Sequence, residues 1–498
     1  MGFVGFVRWA SYTRDRAFAR ALGSCEAHQL AILGRYVAHF KNLDDPLHSP
    51  LNAVSDYKSF ASQVLIRGYG EWSPWIESLR AGHTQALKIK RFEPTSGSTQ
   101  ARKWIPYTAE FLSELDRAAS PWIWDLGRHF PLVRSGRHYW SLSWLPQNLR
   151  SQISSTDDAD LFPWWKRALL KRSLAVGSEV AHLDSLEDSL DSTCVQLLAA
   201  DDLSLVSVWS PTFWIQLINR MIHRQDILVH RLEHSKLASS KRVHCVRSAL
   251  KSEDLDLIWP RLAVISCWTE SSSAEWLPTL RSRFPKVAIQ GKGVWATEGA
   301  ISIPYEGHYP MALRSHFFEF RDLNSGKVFL AHELQTGQDV EVIMTAGNAL
   351  MRYSLGDKLK VTGVLGSTPC FKFLGREHTV DLAGEKMDSA SALALFEAIR
   401  SRWNVQCVSL LAKIPQQPSR PHYLLLIGAH ASTGEIQAMA ESFLKKFHHY
   451  RLCRELGQLD ELRVAQYSDP VQRYYSIFSN QDFIQGQLKI EPLREWRE

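Results

Sequence analysis

The 498-residue sequence lacks the cysteine pattern of a disulfide framework or a zinc ribbon. Its seven cysteines are widely spaced and no two form a CxxC pair, which favours a reducing compartment. No apolar run is long enough to cross a membrane, and the short apolar N-terminus has no basic region before it. These absences predict a cytoplasmic protein with no membrane partner.

The sequence also lacks a basic tract. The net charge is +6, but the 58 lysines and arginines are scattered, and no nucleic-acid-reading motif is present. We therefore expect no nucleic-acid partner, whereas an anionic small molecule is compatible with this charge. GxSxG is absent as well, which removes the commonest serine-hydrolase motif. Nothing in the sequence indicates the oligomeric state.

What is present is the composition of a globular protein, with 45% hydrophobic and 22% charged residues. A chain of this length exceeds one ordinary core, so two or three domains are expected. Helical periodicity alternates with short apolar strands up to about residue 290, and short alternating segments follow from about 317 to 365. The alternation predicts an α/β fold.

The pattern changes after Gly375. Four short elements follow in the order helix, strand, strand, helix, at 388–402, 406–412, 423–429 and 434–449. Their combined length is that of a small α+β domain. We predict a boundary near Arg376, which divides the chain into domains 1–376 and 377–498.

The most informative segment is TSGSTQARKWIP at 95–106. Gly97 lets the backbone approach an anion closely, and Lys103 supplies a cation. Four hydroxyl side chains supply donors: Thr95, Ser96, Ser98 and Thr99. The segment is not a Walker A loop, because Lys103 lacks the preceding glycine and the following Ser or Thr. It predicts a phosphate site, with a solvated turn as the alternative.

Four later segments hold further residues that an ATP-dependent site needs. Thr297 and Glu298 follow an apolar strand, where a carboxylate can hold Mg²⁺ against phosphate oxygens. Asp357 follows a glycine turn and can accept hydrogen bonds from ribose hydroxyls. Arg376 lies at the predicted boundary, and Lys489 lies near the end of the sequence. Taken singly, each also fits a structural role as a cap, a tight turn or a solvated charge.

Two other patterns are weaker. GKGVWA at 291–296 matches the GxGxxA dinucleotide-binding fingerprint. The Gly and Pro of the following TEGAISIP make a poor helix start, so we do not predict a Rossmann site. His230 and His234 are four residues apart, but they lack the glutamate of HExxH and lie in a charged segment, so we expect a solvated face.

The order of the stronger motifs resembles the adenylate-forming superfamily of acyl-CoA synthetases, peptide-synthetase adenylation domains and luciferases. Within it, the sequence is most similar to the Gretchen Hagen auxin-responsive family of acyl acid amido synthetases, particularly its compact microbial branch. The likeness runs over nearly the whole chain, through FEPTSGSTQARKWIPYT (92–108), GKGVWATEGAISIP (291–304), YSLGDKLKVTG (353–363), FLGREHTVDLAGEKM (373–387) and GQLK (486–489). This many ordered matches is a specific signal.

The resemblance implies a large N-terminal domain of mixed sheets with flanking helices and a small mobile C-terminal α+β domain. It implies an ATP phosphate cradle made of Thr95, Ser96, Gly97, Ser98, Thr99 and Lys103. Thr297 would contact the α-phosphate, Glu298 would bind Mg²⁺, and Asp357 would hold the ribose. Arg376 would lie at the hinge and touch the nucleotide. Lys489 would enter the site with the small domain as the carboxylate attacks the α-phosphorus.

Three positions depart from the superfamily pattern. Val294 stands where Tyr is usual, which leaves the residue that stacks on adenine open, with Trp295 as a candidate. Ser354 stands where Arg is common, and the phosphate loop lacks its usual second glycine. None of these changes removes a carboxylate or a lysine that the chemistry requires.

The resemblance implies a two-step ligase. A carboxylic acid and MgATP would give an enzyme-bound acyl-adenylate and pyrophosphate, and an amine, expected to be an amino acid, would then attack to give an amide and AMP. Transfer to a thiol, such as coenzyme A or a carrier protein, is an alternative reaction. A catalytically silent protein that binds nucleotide or acyl ligand is an alternative class. The acid stays open: Trp209, Phe213 and Trp268 are candidates for its pocket, although core packing is the simpler interpretation.

Overall fold

The computed structural model describes residues 3–83, 87–94, 103–141, 173–376, 379–385, 387–414, 420–430, 432–478 and 489–497. These residues form two compact units, and the chain passes from the first to the second between Gly375 and Arg376. Residues 272–275 group with the second unit. Within the described ranges, no helix has the length and apolar character needed to cross a membrane.

Five helices and one strand pair open the first unit. The helices are α1 (Phe3–Ala21), α2 (Cys25–Phe40), α3 (Tyr57–Gln63), α4 (Tyr69–Arg80) and α5 (Ala109–His129). Strands β1 (Ile89–Pro94) and β2 (Trp104–Thr108) pair antiparallel between α4 and α5. The Thr108 side chain accepts a hydrogen bond from the Phe111 amide and so caps the start of α5.

A parallel sheet follows, with its four strands in chain order. They are β3 (Arg137–Trp140), β4 (Leu203–Ser207), β5 (Val264–Cys267) and β6 (Ala288–Gly291). The described helices between them are α6 (Leu186–Ala199), α7 (Pro211–His223), α8 (Gln225–His234), α9 (Ser240–Lys251), α10 (Leu255–Ile258) and α11 (Leu277–Arg283). The inner strands β4 and β5 are buried at every position, as parallel strands usually are. All four carboxyl ends lie at one edge.

A five-stranded sheet completes the first unit, in the order β10-β9-β11-β12-β13. Its strands are β9 (Phe317–Asp322), β10 (Val328–Leu330), β11 (Asp339–Thr345), β12 (Tyr353–Leu365) and β13 (Thr368–Arg376). The short hairpin of β7 (Trp295–Ala296) and β8 (Gly299–Ala300) stands between the two sheets in the chain. This hairpin therefore follows directly from the edge strand β6.

The N-terminal helices pack on the five-stranded sheet through an apolar core. Phe60 of α3 and Phe317 of β9 are fully buried, and their ring centroids lie 6.0 Å apart. In α4, Trp72 and Trp75 meet edge to face with centroids 5.7 Å apart. Aromatic burial of this kind is a large stabilising contribution, and it fixes the sheet that carries two of the predicted site residues.

The second unit is built on a four-stranded sheet in the order β18-β17-β16-β19. The four strands of this sheet are β16 (Cys407–Ile414), β17 (His422–Gly428), β18 (Arg463–Tyr467) and β19 (Leu493–Arg497). A separate short pair, β14 (Thr379–Val380) and β15 (Met387–Asp388), comes before them in the chain. The helices are α12 (Ser389–Trp403), α13 (Thr433–Leu444), α14 (His448–Glu455) and α15 (Pro470–Phe478). β16 and β17 are antiparallel, whereas the outer pairs β16–β19 and β17–β18 are parallel.

The predicted elements of this unit hold with one exception. Helix α12 and strands β16 and β17 lie within two residues of their predicted bounds. The single helix predicted over 434–449 is wrong, because α13 ends at Leu444 and a second helix begins at His448. Between them Phe447 has an extended backbone (φ −77°, ψ 121°), which a continuous helix cannot contain. Apolar periodicity alone does not reveal this break.

Candidate functional site

Lys103 belongs to the described part of the predicted phosphate loop. The other loop residues, Thr95, Ser96, Gly97, Ser98 and Thr99, lie outside it. Lys103 directly precedes β2, and its Nζ lies 5.6 Å from the ring centroid of Tyr69, within the range of a cation–π contact. The Tyr69 hydroxyl accepts a hydrogen bond of 2.8 Å from the Trp104 amide. These contacts anchor this end of the loop to α4.

Thr297 and Glu298 form the two-residue turn of the β7–β8 hairpin, since Ala296 pairs with Gly299. The Tyr107 hydroxyl of β2 donates a 2.8 Å hydrogen bond to the Thr297 carbonyl. The Glu298 side chain is buried, with the residue 3% exposed, and its Oε1 accepts a hydrogen bond of 3.3 Å from the Tyr353 hydroxyl of β12. The strand after the predicted phosphate loop and the start of β12 thus both reach this turn.

A buried His–Glu pair supports strand β8 of the hairpin. The Ala300 amide donates to His316 Nε2 at 3.3 Å, so Nδ1 carries the ring proton and donates to Glu114 Oε2 at 2.8 Å. A Cβ at Gly299 would lie 2.7 Å from His316 Nε2, so only glycine fits there. The Gly347 amide donates a further hydrogen bond to Glu114 Oε2 at 3.0 Å. The turn is therefore rigidly supported.

Asp357 lies in a bulge of β12. Glu341 pairs with Lys358 while Ile343 pairs with Ser354, so β12 carries two additional residues at this point. Gly356 adopts a positive φ of 75° there, which glycine accepts without strain. Asp357 itself is 3% exposed. The Gly-Asp motif therefore marks a backbone irregularity that redirects the aspartate, four residues along the strand from Tyr353.

A buried ion pair fixes the start of β12. Arg352 Nε and Nη2 donate to the two carboxylate oxygens of Glu319 on β9, at 2.9 and 2.8 Å. Arg352 Nη1 donates to the carbonyls of Ala61 and Val64 at 2.8 Å each. Burial raises the pKa of Glu319, and the Arg352 charge opposes that shift. Tyr353, the next residue, is thus held where its hydroxyl reaches Glu298.

The remaining predicted residues lie at the start and near the end of the second unit. Arg376 is the last residue of β13, and its side chain lies outside the described part. Lys489 is half-buried, and its carbonyl accepts a hydrogen bond from the Tyr474 hydroxyl at 3.4 Å. The same hydroxyl accepts from the Glu491 amide at 3.2 Å. Tyr474 of α15 therefore fixes the backbone on which Lys489 stands.

Among the residues that the structure describes, one cluster outside these motifs has metal-binding residue types: Asp125, His129 and Glu306 approach one another closely. Arg128 forms ion pairs with both carboxylates, at 2.8 Å to Asp125. A guanidinium already neutralises the charge that a cation would need. The arrangement is that of a surface ion-pair network, and we assign no metal to it.

Sequence motifs did not predict the contacts of two residues, Tyr353 and Lys292, that the structure shows. Tyr353 lies within the Gly-Asp motif, but only its distance to Glu298 assigns it a contact in the site. Lys292 lies inside GKGVWA, where the glycines drew attention instead. The segment leads into the β7–β8 hairpin and not into a helix. A lysine directly after a parallel strand was the available signal.

Solved structures of other proteins share this fold. The chain matches AtGH3.15 acyl acid amido synthetase in complex with 2,4-DB with a TM-score of 0.79, over 96% of this chain and 93% of that one, at 15% identity. A 2-hydroxyisobutyryl-CoA ligase in the postadenylation state matches with a TM-score of 0.50 over 93% and 89%, at 11% identity. The fold is that of adenylate-forming enzymes, which confirms the predicted fold class.

The family follows from the sequence. Residues 47–289 match the GH3 family N-terminal domain, and residues 309–376 match the GH3 family central domain. The chain belongs to the GH3 family, as its ordered motifs predicted.

Curated relatives of this chain carry names of the same family. A putative indole-3-acetic acid-amido synthetase, GH3.10 of Oryza sativa subsp. japonica, is 21% identical over 68% of this chain and 75% of its own length. Indole-3-acetic acid-amido synthetase GH3.4 of Arabidopsis thaliana is 21% identical over 73% of this chain and 69% of its own length. The match to probable indole-3-acetic acid-amido synthetase GH3.1 of Arabidopsis thaliana, at 24% identity, spans 30% of that protein.

Proposed function

We propose that this chain is an ATP-dependent ligase that adenylates a carboxylic acid and transfers the acyl group to an amine, releasing AMP and pyrophosphate. The observation that carries the proposal is the β7–β8 turn, where the Thr-Glu motif of a GH3 family chain presents a buried carboxylate beside Tyr353. Its relatives are named as amido synthetases, which favours an amine over a thiol as acceptor. We propose an amino acid as that amine.

Glu298 fits a magnesium site. Carboxylate oxygens are the ligands that Mg²⁺ prefers, and among the described residues Glu298 accepts one hydrogen bond, from Tyr353. A bound Mg²⁺ would neutralise phosphate charge. We propose that Thr297 contacts the α-phosphate of ATP and that Asp357 accepts hydrogen bonds from the ribose. The phosphate contacts proposed for the loop come from Thr95, Ser96, Gly97, Ser98, Thr99 and Lys103.

We propose that domain 377–498 moves relative to domain 1–376 during the reaction, with Arg376 at the hinge and in contact with the nucleotide. Lys489 would then supply positive charge as the acid carboxylate attacks the α-phosphorus, which is where a cation lowers the barrier most. Separating the two half-reactions keeps water from the reactive acyl-adenylate. Its anchoring by Tyr474 supports a fixed position for Lys489 within its own domain.

We also propose the cytoplasm as the location of the protein, with the acid and the amino acid as its partners and neither nucleic acid nor membrane among them. All seven cysteines are free, which supports a reducing compartment. A redox-sensitive fluorescent fusion, read by microscopy, tests this location.

Acid-dependent exchange of labelled pyrophosphate into ATP tests the adenylation step. The acid panel should include aryl, indolyl and fatty acids, and mass analysis of products with amino acids or with coenzyme A then identifies the acceptor. Exchange together with an amide product is the expected result. A thioester product would move the chain to the alternative reaction, and binding of ATP without exchange for any acid would favour a silent binding protein.

Lys489→Ala tests the proposed cation. We expect pyrophosphate exchange to fall about 100-fold, because the charge that develops at the α-phosphate loses its counterion. Lys446→Ala removes an exposed lysine of the same unit and is the matched control. Undiminished exchange by Lys489→Ala, with Lys446→Ala also active, would refute the role of Lys489 without refuting adenylation.

A further inference from the structure

Four side chains form a lateral row at the carboxyl edge of the parallel sheet. Trp140 of β3 pairs with Ser207 of β4, Ser207 pairs with Ser266 of β5, and Ser266 pairs with Gln290 of β6. Residues in lateral register point to the same face of a sheet. Ligands of open α/β sheets bind outside the carboxyl ends of the strands, so this row lies where a ligand is expected.

Lys292 follows β6 and turns back over this row. Its Nζ donates a 2.6 Å hydrogen bond to Ser207 Oγ. Three indole rings surround the same atom, with centroids at 5.0 Å for Trp122, 5.1 Å for Trp209 and 5.7 Å for Trp140. The residue is 4% exposed, and burial lowers the pKa of its amine to about 7. A buried lysine amine surrounded by three tryptophan rings is an uncommon arrangement.

Hydrogen-bonding capacity is left over in this cluster. The Lys292 amine carries two donors when neutral and three when protonated, and within the described residues it meets one acceptor, Ser207. The neighbouring Ser266 hydroxyl is buried and has no hydrogen-bond partner in that same part of the chain. Buried polar groups are normally satisfied, so the unpartnered Ser266 hydroxyl and the spare donors of Lys292 mark a place for an oxygen atom of a ligand.

The surroundings are aromatic and partly open. Trp209 and Trp268 are half-buried, with ring centroids 5.6 Å apart. The Trp122 indole is fixed by a 2.9 Å hydrogen bond from its Nε1 to Gln290 Oε1. Rigid indole faces favour a flat aromatic ligand over a flexible aliphatic chain. Phe213, by contrast, is buried at 4% exposure in α7, which suits core packing.

We propose that these tryptophans bind the ring of an aromatic carboxylic acid, and that Lys292 and Ser266 bind an oxygen substituent at the end of that ring away from the reacting carboxylate. This rests on the proposed adenylation function. The chain runs from Lys292 into the β7–β8 hairpin, whose turn contacts β2 through Thr297 and β12 through Glu298. The reacting carboxylate belongs at that turn, so Lys292 is left for the distal end of the acid.

Matched acids test the proposal by pyrophosphate exchange. Benzoate is compared with 4-hydroxybenzoate, and phenylacetate with 4-hydroxyphenylacetate. We expect kcat/KM to be about tenfold or more higher for each hydroxylated acid, because a site with buried polar groups rejects a ligand that leaves them unpaired. Lys292→Met should bring this ratio close to one, whereas Lys286→Met, which changes an exposed lysine, should keep it.

Ser266→Ala provides a second, milder variant should Lys292→Met fail to fold, and it should lower the same ratio. Equal kcat/KM for the paired acids, or a ratio unchanged in both variants, would overturn the proposal while adenylation stands. If no acid supports exchange, the proposed function fails, and tryptophan fluorescence still decides the binding claim. Quenching of wild type by 4-hydroxybenzoate but not by benzoate supports it, and identical titrations overturn it.

Discussion

Two of the buried basic side chains in the first unit, Arg352 and Lys292, are held in different ways. Arg352 is matched with the Glu319 carboxylate and two backbone carbonyls, so its guanidinium is surrounded by oxygen acceptors. Lys292 meets three indole faces and one hydroxyl, and the described residues place no carboxylate against it. A buried charge is costly unless it is paired. Arg352 therefore belongs to the fold, whereas Lys292 is poised for a ligand.

The same contrast separates two buried glutamates. Glu319 accepts hydrogen bonds from Arg352 and from the Tyr57 hydroxyl, the latter at 3.0 Å. Glu298, equally buried, accepts one hydrogen bond, from Tyr353, among the described residues. We infer that the fully paired Glu319 is a structural group and that the incompletely paired Glu298 is a functional one. Three experiments test this distinction.

The largest expected effect is on stability. Arg352→Met leaves Glu319 buried without its counterion and should lower the free energy of unfolding by about 3–5 kcal/mol. The matched control is Arg321→Met, which breaks a partly exposed pair with Glu341 on the same sheet and should cost at most about 1 kcal/mol. Urea unfolding midpoints measure both. Equal losses in the two variants would contradict a special role for the buried pair.

Glu298→Gln should have the opposite effect to Arg352→Met: it should lower activity and leave stability nearly unchanged. We expect pyrophosphate exchange to fall about 100-fold, since the proposed metal ligand loses its charge, while the urea midpoint changes little. Glu26→Gln makes the same chemical change at an exposed position of the first unit. If Glu298→Gln instead lowers stability and keeps its activity, Glu298 is a structural glutamate like Glu319.

The smallest effect is a pH dependence of stability. The amine of Lys292 has a pKa of about 7 in the folded chain, against an ordinary value of 10.5. Between these values the unfolded state holds a proton that the folded state has lost, so folding gains stability as pH rises. The free energy of unfolding of wild type minus that of Lys292→Met should therefore increase above pH 7, by at most about 1.4 kcal/mol per pH unit. A flat difference would mean that Lys292 stays protonated.

Motif spacing selected Thr297-Glu298 and Gly356-Asp357, but the hairpin turn at the first pair and the strand bulge at the second were not predicted from the sequence. A two-residue hairpin turn and a glycine with positive φ are determined by nearby residues. The break between α13 and α14 was missed because their apolar spacing continues across it. Whether Arg376 and Lys489 act as proposed depends on movement between two units, which no local pattern encodes.

The chain's order of residues determined its family and its alternation of helices and strands, and it supplied the carboxylates for which we propose nucleotide contacts, since each depends on neighbours within a few positions. Tertiary structure decided which charges are satisfied. Lys292 meets Trp122 and Trp209, about 170 and 83 positions away in the chain, only because a helix and two parallel strands converge at one sheet edge. Such long-range contacts depend on the packing of the whole unit. They distinguish the structural Arg352 from Lys292, which we propose binds a substrate.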